Sequence, residues 1–118
     1  MPTIRDLVGA LRQRDGVDAA VVLGRDGLLI DSETSPHVDA ESVAALIPAI
    51  IAAADEYGAH DSRGSLATAI LEYAQGSVAV ISVLSSEAIL LVLARPTANL
   101  GQLLFELRRN RENIAALV

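Results

Sequence analysis

Val43-Ala44-Ala45-Leu46-Ile47-Pro48-Ala49-Ile50-Ile51-Ala52-Ala53-Ala54 runs on without one charged or hydrogen-bonding side chain. It lies in a segment predicted to be helical from Asp39 to about Tyr57. Asp39 is a good N-cap, and Glu41 sets a negative charge in the first turn against the positive end of the helix. A helix packed on one side of a sheet keeps a polar outer stripe, whereas this one is apolar or small all the way round for about three turns. Both of its faces must therefore be covered, and a sheet covers only one. No segment of the 118 residues is left over to cover the other. The strip, about 18 Å long, is expected to meet a second chain; a central helix buried within its own domain is the alternative. Pro48 has no amide proton and crowds the preceding turn, at a cost of about 3 kcal/mol in a regular helix. The expectation is a kink, or a helix that begins later or is broken, with Asp39 to Ile47 forming a separate turn.

The flanking segments supply a sheet. Upstream, Thr3 to Arg14 places Ile4, Leu7, Val8 and Leu11 on one helical face, with a capping box predicted between Thr3 and Asp6 and a stop at Asp15-Gly16. Ala19–Leu23 and Leu28–Ser32 bracket Gly24-Arg25-Asp26-Gly27 as a hairpin, and the polar stretch from Ser32 to His37 reads as a loop. Downstream, Gly58 to Gly64 is a polar loop. Three strand-like runs follow, Ser65–Tyr73, Ser77–Leu84 and Ala88–Ala94, joined by hairpin-length connections. The last two are apolar at almost every position, so both faces of the sheet are covered. Asn99 caps a final helix carrying Leu100, Leu103, Leu104, Leu107, Ile114 and Leu117. The predicted order is helix, two strands, helix, three strands, helix: one domain over residues 1–118, of α/β (α+β) sandwich class, with an antiparallel sheet between helices.

Composition closes off several functions. With 9 basic and 15 acidic residues the net charge is −6, which repels nucleic acid and anionic membrane, and an aromatic content of 3% leaves no base-stacking platform. There is no cysteine, hence no disulfide, thiol nucleophile or zinc ribbon. All nine basic residues are Arg, so neither a Walker lysine nor a Schiff-base lysine is available. The N-terminus lacks the layout of a signal peptide. The longest apolar stretch, Val78 to Ala94, is interrupted by Ser82 and Ser85-Ser86-Glu87, which speaks against membrane insertion. A cytoplasmic location is expected.

No catalytic constellation emerges. His37 and His60 sit beside acids in polar loops and make a weak metal site; no Gly-x-Ser-x-Gly elbow, P-loop or dinucleotide fingerprint occurs. An arginine can act in trans on a phosphoryl-transfer transition state. Arg25, Arg63 and Arg95 are the loop arginines placed to do so, although a solubilising role is the simpler reading of each.

The element order, together with Val21-Val22-Leu23-Gly24-Arg25-Asp26-Gly27-Leu28-Leu29-Ile30, the small-residue second helix, Leu90-Leu91-Val92-Leu93, and Asn99-Leu100-Gly101-Gln102-Leu103-Leu104 running on to Leu107-Arg108-Arg109, resembles the roadblock/dynein light chain family in its bacterial MglB-like branch. Pro48 departs from the continuous second helix of that family. The resemblance implies a profilin-like sandwich, a five-stranded antiparallel sheet with the first and last helices on one face and the second on the other. It also implies a homodimer through the second helix and the edge strand Leu66 to Tyr73, with Val43, Leu46, Ile47, Ile50, Ile51, Ala54, Leu66 and Ile70 at the interface. A charge at Ile50 or Ile51 is then expected to weaken association. MglB-like proteins act as dimers on a small Ras-like GTPase and stimulate its hydrolysis by reshaping the GTPase's own catalytic residues. By this analogy Asp39, Glu41, Asp55, Glu56 and Arg63 are the partner contacts, with no catalytic residue, cofactor or metal. A light-chain-like structural adaptor and a small-molecule sensory domain are the competing functions.

Overall fold

Thr3 and Asp6 open the chain with the predicted reciprocal cap: the Asp6 N–H donates to Thr3 Oγ1 at 3.2 Å and the Thr3 N–H to Asp6 Oδ2 at 3.0 Å. The computed structural model describes residues 2–118, and α1 runs Ile4–Arg12. It stops two residues before Arg14, because Arg14 and Val17 turn back on Leu11 and Arg14 in three-residue steps. Gly16 then adopts φ +83°, with Ala98 so close that a Cβ would lie 2.7 Å from its backbone. β1 (Val17–Gly24) and β2 (Leu29–Thr34) form the hairpin, and Gly27 takes the positive φ its turn demands. β2 continues through residues read as loop. As an edge strand it is only partly covered, so Asp31, Ser32, Glu33 and Thr34 can pair with β1 without being fully buried.

α2 is one continuous helix, Ala40–His60, with Pro48 inside it, so neither a late start nor a break occurs. The proline leaves the Ala44 carbonyl without its helical donor. At that point the hairpin turn packs onto the helix, and a Cβ on Gly27 would come within 3.1 Å of Pro48 Cγ and 3.5 Å of the Ala44 carbonyl oxygen. β3 is shorter than predicted, Thr68–Glu72, and is followed by β4 (Val78–Val83) and β5 (Ala88–Ala94). The single last helix expected from the apolar spacing divides into α3 (Leu100–Arg109) and α4 (Arg111–Ala115). Between them Asn110 Nδ2 donates to the Glu106 carbonyl at 2.9 Å, the local side-chain bond with which asparagine competes with a helix.

The sheet is five-stranded and antiparallel throughout, in the order β2-β1-β5-β4-β3. β1, β5 and β4 are sealed on both faces, as their almost wholly apolar runs require. Ala20, Val22, Val80, Leu90 and Val92 face α1, α3 and α4. Ala19, Val21, Leu23, Ile81, Ile89 and Leu91 face α2 through Ala44, Ile47 and Ile51. The two edges are β2 and β3.

Candidate functional site

α2 lies on the sheet face to which Ala69 and Leu71 of β3 also belong, and Asp55 near its C-terminal end holds the Leu66 N–H ahead of β3. Ala44, Ile47, Ile51 and Gly58 turn inward, while Ala45, Leu46, Ala49, Ala52 and Ala53 turn outward with no polar side chain among them. Leu46 is 67% exposed and Tyr57, which ends the strip, 62%. Val43, Ile50 and Ala54 lie half-buried along its flanks. On β3, Ile70 is 42% exposed but pairs with Val80 and so points to the face of α1, α3 and α4, opposite α2, while Leu66 is half-buried ahead of the strand. The eight predicted interface residues therefore do not share one environment. Ile47 and Ile51 are built into this chain's own core, with 4% and 2% exposure, and have no surface to offer a second chain. A charge at Ile51 would be placed in the core, so that substitution reports on folding and cannot report on association.

α2 is also, among the described residues, the one helix long and apolar enough by length and composition to cross a membrane; here its inner side packs on the sheet. The stretch singled out from sequence, Val78 to Ala94, is instead β4, a turn and β5.

The five predicted partner contacts separate as well. Glu41 and Glu56 are exposed. Asp39 is occupied as the N-cap of α2, accepting from Ser42 Oγ at 2.7 Å and from the Ser42 N–H at 3.4 Å, and these bonds hold its carboxyl below the ordinary aspartate range. Asp55 braces three segments. Its Oδ1 accepts from the Leu66 N–H at 2.7 Å and its Oδ2 from Arg25 at 3.1 Å. The Leu66 bond first, and Arg25 after it, lower its pKa despite an opposing desolvation. Arg63 Nε pairs with Asp61 Oδ2 at 2.7 Å, an oxygen that Tyr57 also donates to at 3.1 Å.

The three loop arginines are thus all engaged, Arg25 by Asp55, Arg63 by Asp61 and Arg95 by Asp18 at 3.3 Å. Sequence reading missed these pairings because the first and third join residues far apart in the chain. His60 belongs to the last turn of α2 and not to a loop, whereas His37 lies beside Ser35 Oγ at 3.4 Å. Among the described residues no group of three or more His, Cys, Asp or Glu side chains is placed to hold a metal ion.

A family model described as the Roadblock/LC7 domain matches residues 3–94, from the Thr3 cap through the last strand. The chain belongs to the Roadblock/LC7 family. An uncharacterized protein of Methanocaldococcus jannaschii is similar to this Roadblock/LC7 chain, with 33% identity over 107 residues that span 91% of this chain and 92% of that one. Among solved structures, the Roadblock/LC7 domain from Streptomyces avermitilis matches with a TM-score of 0.83 at 23% identity, covering 96% of this chain and 95% of its own. The gliding protein MglB from Thermus thermophilus matches with the same TM-score at 14% identity, covering 96% and 86%. At these identities the two structures speak to the fold, and they agree on the roadblock sandwich.

Proposed function

We infer that this Roadblock/LC7 domain is a dimeric, non-enzymatic regulator of a Ras-like small GTPase that stimulates GTP hydrolysis by reshaping the GTPase's own site. The observation that carries this reading is the uncharged outer strip of α2, together with a β3 edge that no other strand of the chain pairs. An aliphatic surface of that kind is retained where another protein covers it. Membership of the family supports it, as does the fold likeness to MglB. Val43, Leu46, Ile50, Ala54, Leu66 and Ile70 form the dimer contact in this reading. Glu41 and Glu56 are the exposed charges beside it that would meet the GTPase, and the complex is cytoplasmic. The pairing of Arg25, Arg63 and Arg95 with carboxylates favours reshaping of the GTPase over donation of an arginine.

The test is phosphate release by a Ras-like GTPase of the same organism, with and without the purified domain. Faster single-turnover hydrolysis is expected. A stable complex with neither hydrolysis nor nucleotide exchange altered would replace the regulator by a structural adaptor, and no complex would remove both.

A further inference from the structure

We propose that the cleft between the C-terminal end of α2, the loop entering β3 and the α3–α4 elbow is a binding site for a phosphate-bearing small molecule. The cleft encloses about 450 Å³ and is lined by Arg63, Arg108 and Arg111 with no acidic side chain among its walls. That concentration of cations is unexpected in a chain of net charge −6. Elsewhere Arg5, Arg14, Arg25 and Arg95 each pair with a carboxylate and Arg12 donates to the Val17 carbonyl, which leaves Arg109 as the other arginine without a carboxylate partner among the described residues. Among the described residues no carboxylate oxygen lies within 4.0 Å of Arg108 or Arg111. Arg111 donates to Thr68 Oγ1 at 2.6 Å, which fixes its guanidinium at the start of β3, while its Nε is buried without a partner. Arg63 also lines the cleft, with its Nε paired to Asp61.

The loop is held in shape independently of any ligand. Gly64 has φ +87°, and its carbonyl presses so closely on α2 that a Cβ on Gly58 would collide with it. Asp55 pins Leu66 in the same turn. Guanidinium forks match the oxygens of phosphoryl groups in charge and geometry. The volume exceeds what one phosphate fills and falls within the range of small-molecule sites, and Ala54, Tyr57 and Leu66 provide a less polar wall for the remainder of the molecule. Arg108 and Arg111 follow the stretch matched by the family model; Ala54 and Leu66 are shared with the dimer contact proposed above, whereas none of the three arginines belongs to that contact.

The experiment is titration calorimetry of the full chain with inorganic pyrophosphate and with adenosine diphosphate at low and high salt. Saturable binding of one molecule per chain is expected, weakening as salt rises. Arg108→Ala should raise Kd about tenfold or more, as expected for the loss of a charged hydrogen bond. Arg111→Lys, which keeps the charge and loses the fork, should also weaken binding, and Arg5→Ala on the far side should leave it unchanged. Tighter binding of the nucleotide would assign the less polar wall to the organic part; equal binding would assign the site to inorganic polyphosphate. No binding at millimolar ligand, or binding that Arg108→Ala leaves intact in a variant with an unchanged circular dichroism spectrum, would overturn the proposal.

Discussion

Truncating Leu46 to alanine should separate association from folding. Leu46 has three more carbons than alanine, worth about 2.4 kcal/mol if fully withdrawn from water at about 0.8 kcal/mol each. With 67% of the residue exposed in the protomer, about 1.6 kcal/mol of that remains to be gained at an interface. A two-fold interface uses the residue twice, so Leu46→Ala should cost the dimer about 3 kcal/mol, roughly two orders of magnitude in Kd. Sedimentation velocity across a dilution series reads this directly, and urea unfolding of the dilute, monomeric protein should show a loss of only about 0.8 kcal/mol, the part already withdrawn from water in the protomer. Ile51→Ala is the contrasting control. At 2% exposure against Ala19, Val21 and Leu91, it should remove about 2–5 kcal/mol from the protomer itself. A wild-type protein that stays monomeric at micromolar concentration, or a Leu46→Ala protein that associates as tightly as wild type, would refute the reasoning.

Replacing Gly16 by alanine should lower the melting temperature sharply in calorimetry, since the position combines φ +83° with a 2.7 Å approach to Ala98; Gly9→Ala, where a Cβ meets nothing within 4 Å, should be neutral or stabilising in the same assay. Pro48→Ala should stabilise the protein by up to about 3 kcal/mol in urea unfolding, because the Ala44 carbonyl regains a helical donor. Asp55 has a lowered pKa in the folded state, so its stabilisation is complete above the unfolded-state pKa and is lost as pH falls through that value to the folded one. Urea midpoints taken from about pH 5 to about pH 3 should therefore fall less steeply for Asp55→Asn than for wild type.

The order of elements was legible because each carries its own local signal. Alternating and continuous apolar runs mark half-covered and doubly covered strands, Asp26-Gly27 marks the hairpin, and Thr3 with Asp6 marks the start of α1. Boundaries shifted where a local bond competes with the pattern, as Asn110 shows by dividing a helix whose apolar spacing continues through it. Pro48 shows the reverse: a local signal for a break is overridden where the helix packs on the sheet and against the hairpin turn at Gly27.

By itself the sequence determined that the second helix is apolar all round and that the sheet needs helices on both faces, since both follow from the kind of residue at each position. Only the tertiary structure decided which side of that helix belongs to which partner. Ile47, Ile50, Ile51 and Leu46 are nearly equivalent in hydrophobicity, so no periodicity distinguishes a side chain that fills the core from one that waits on the surface; the direction in which α2 lies on the sheet does. The same holds for charge. Fold geometry brings Asp55 to Arg25 and leaves Arg108 and Arg111 facing an acid-free cleft, because Coulomb interactions depend on distances in space that chain separation does not encode.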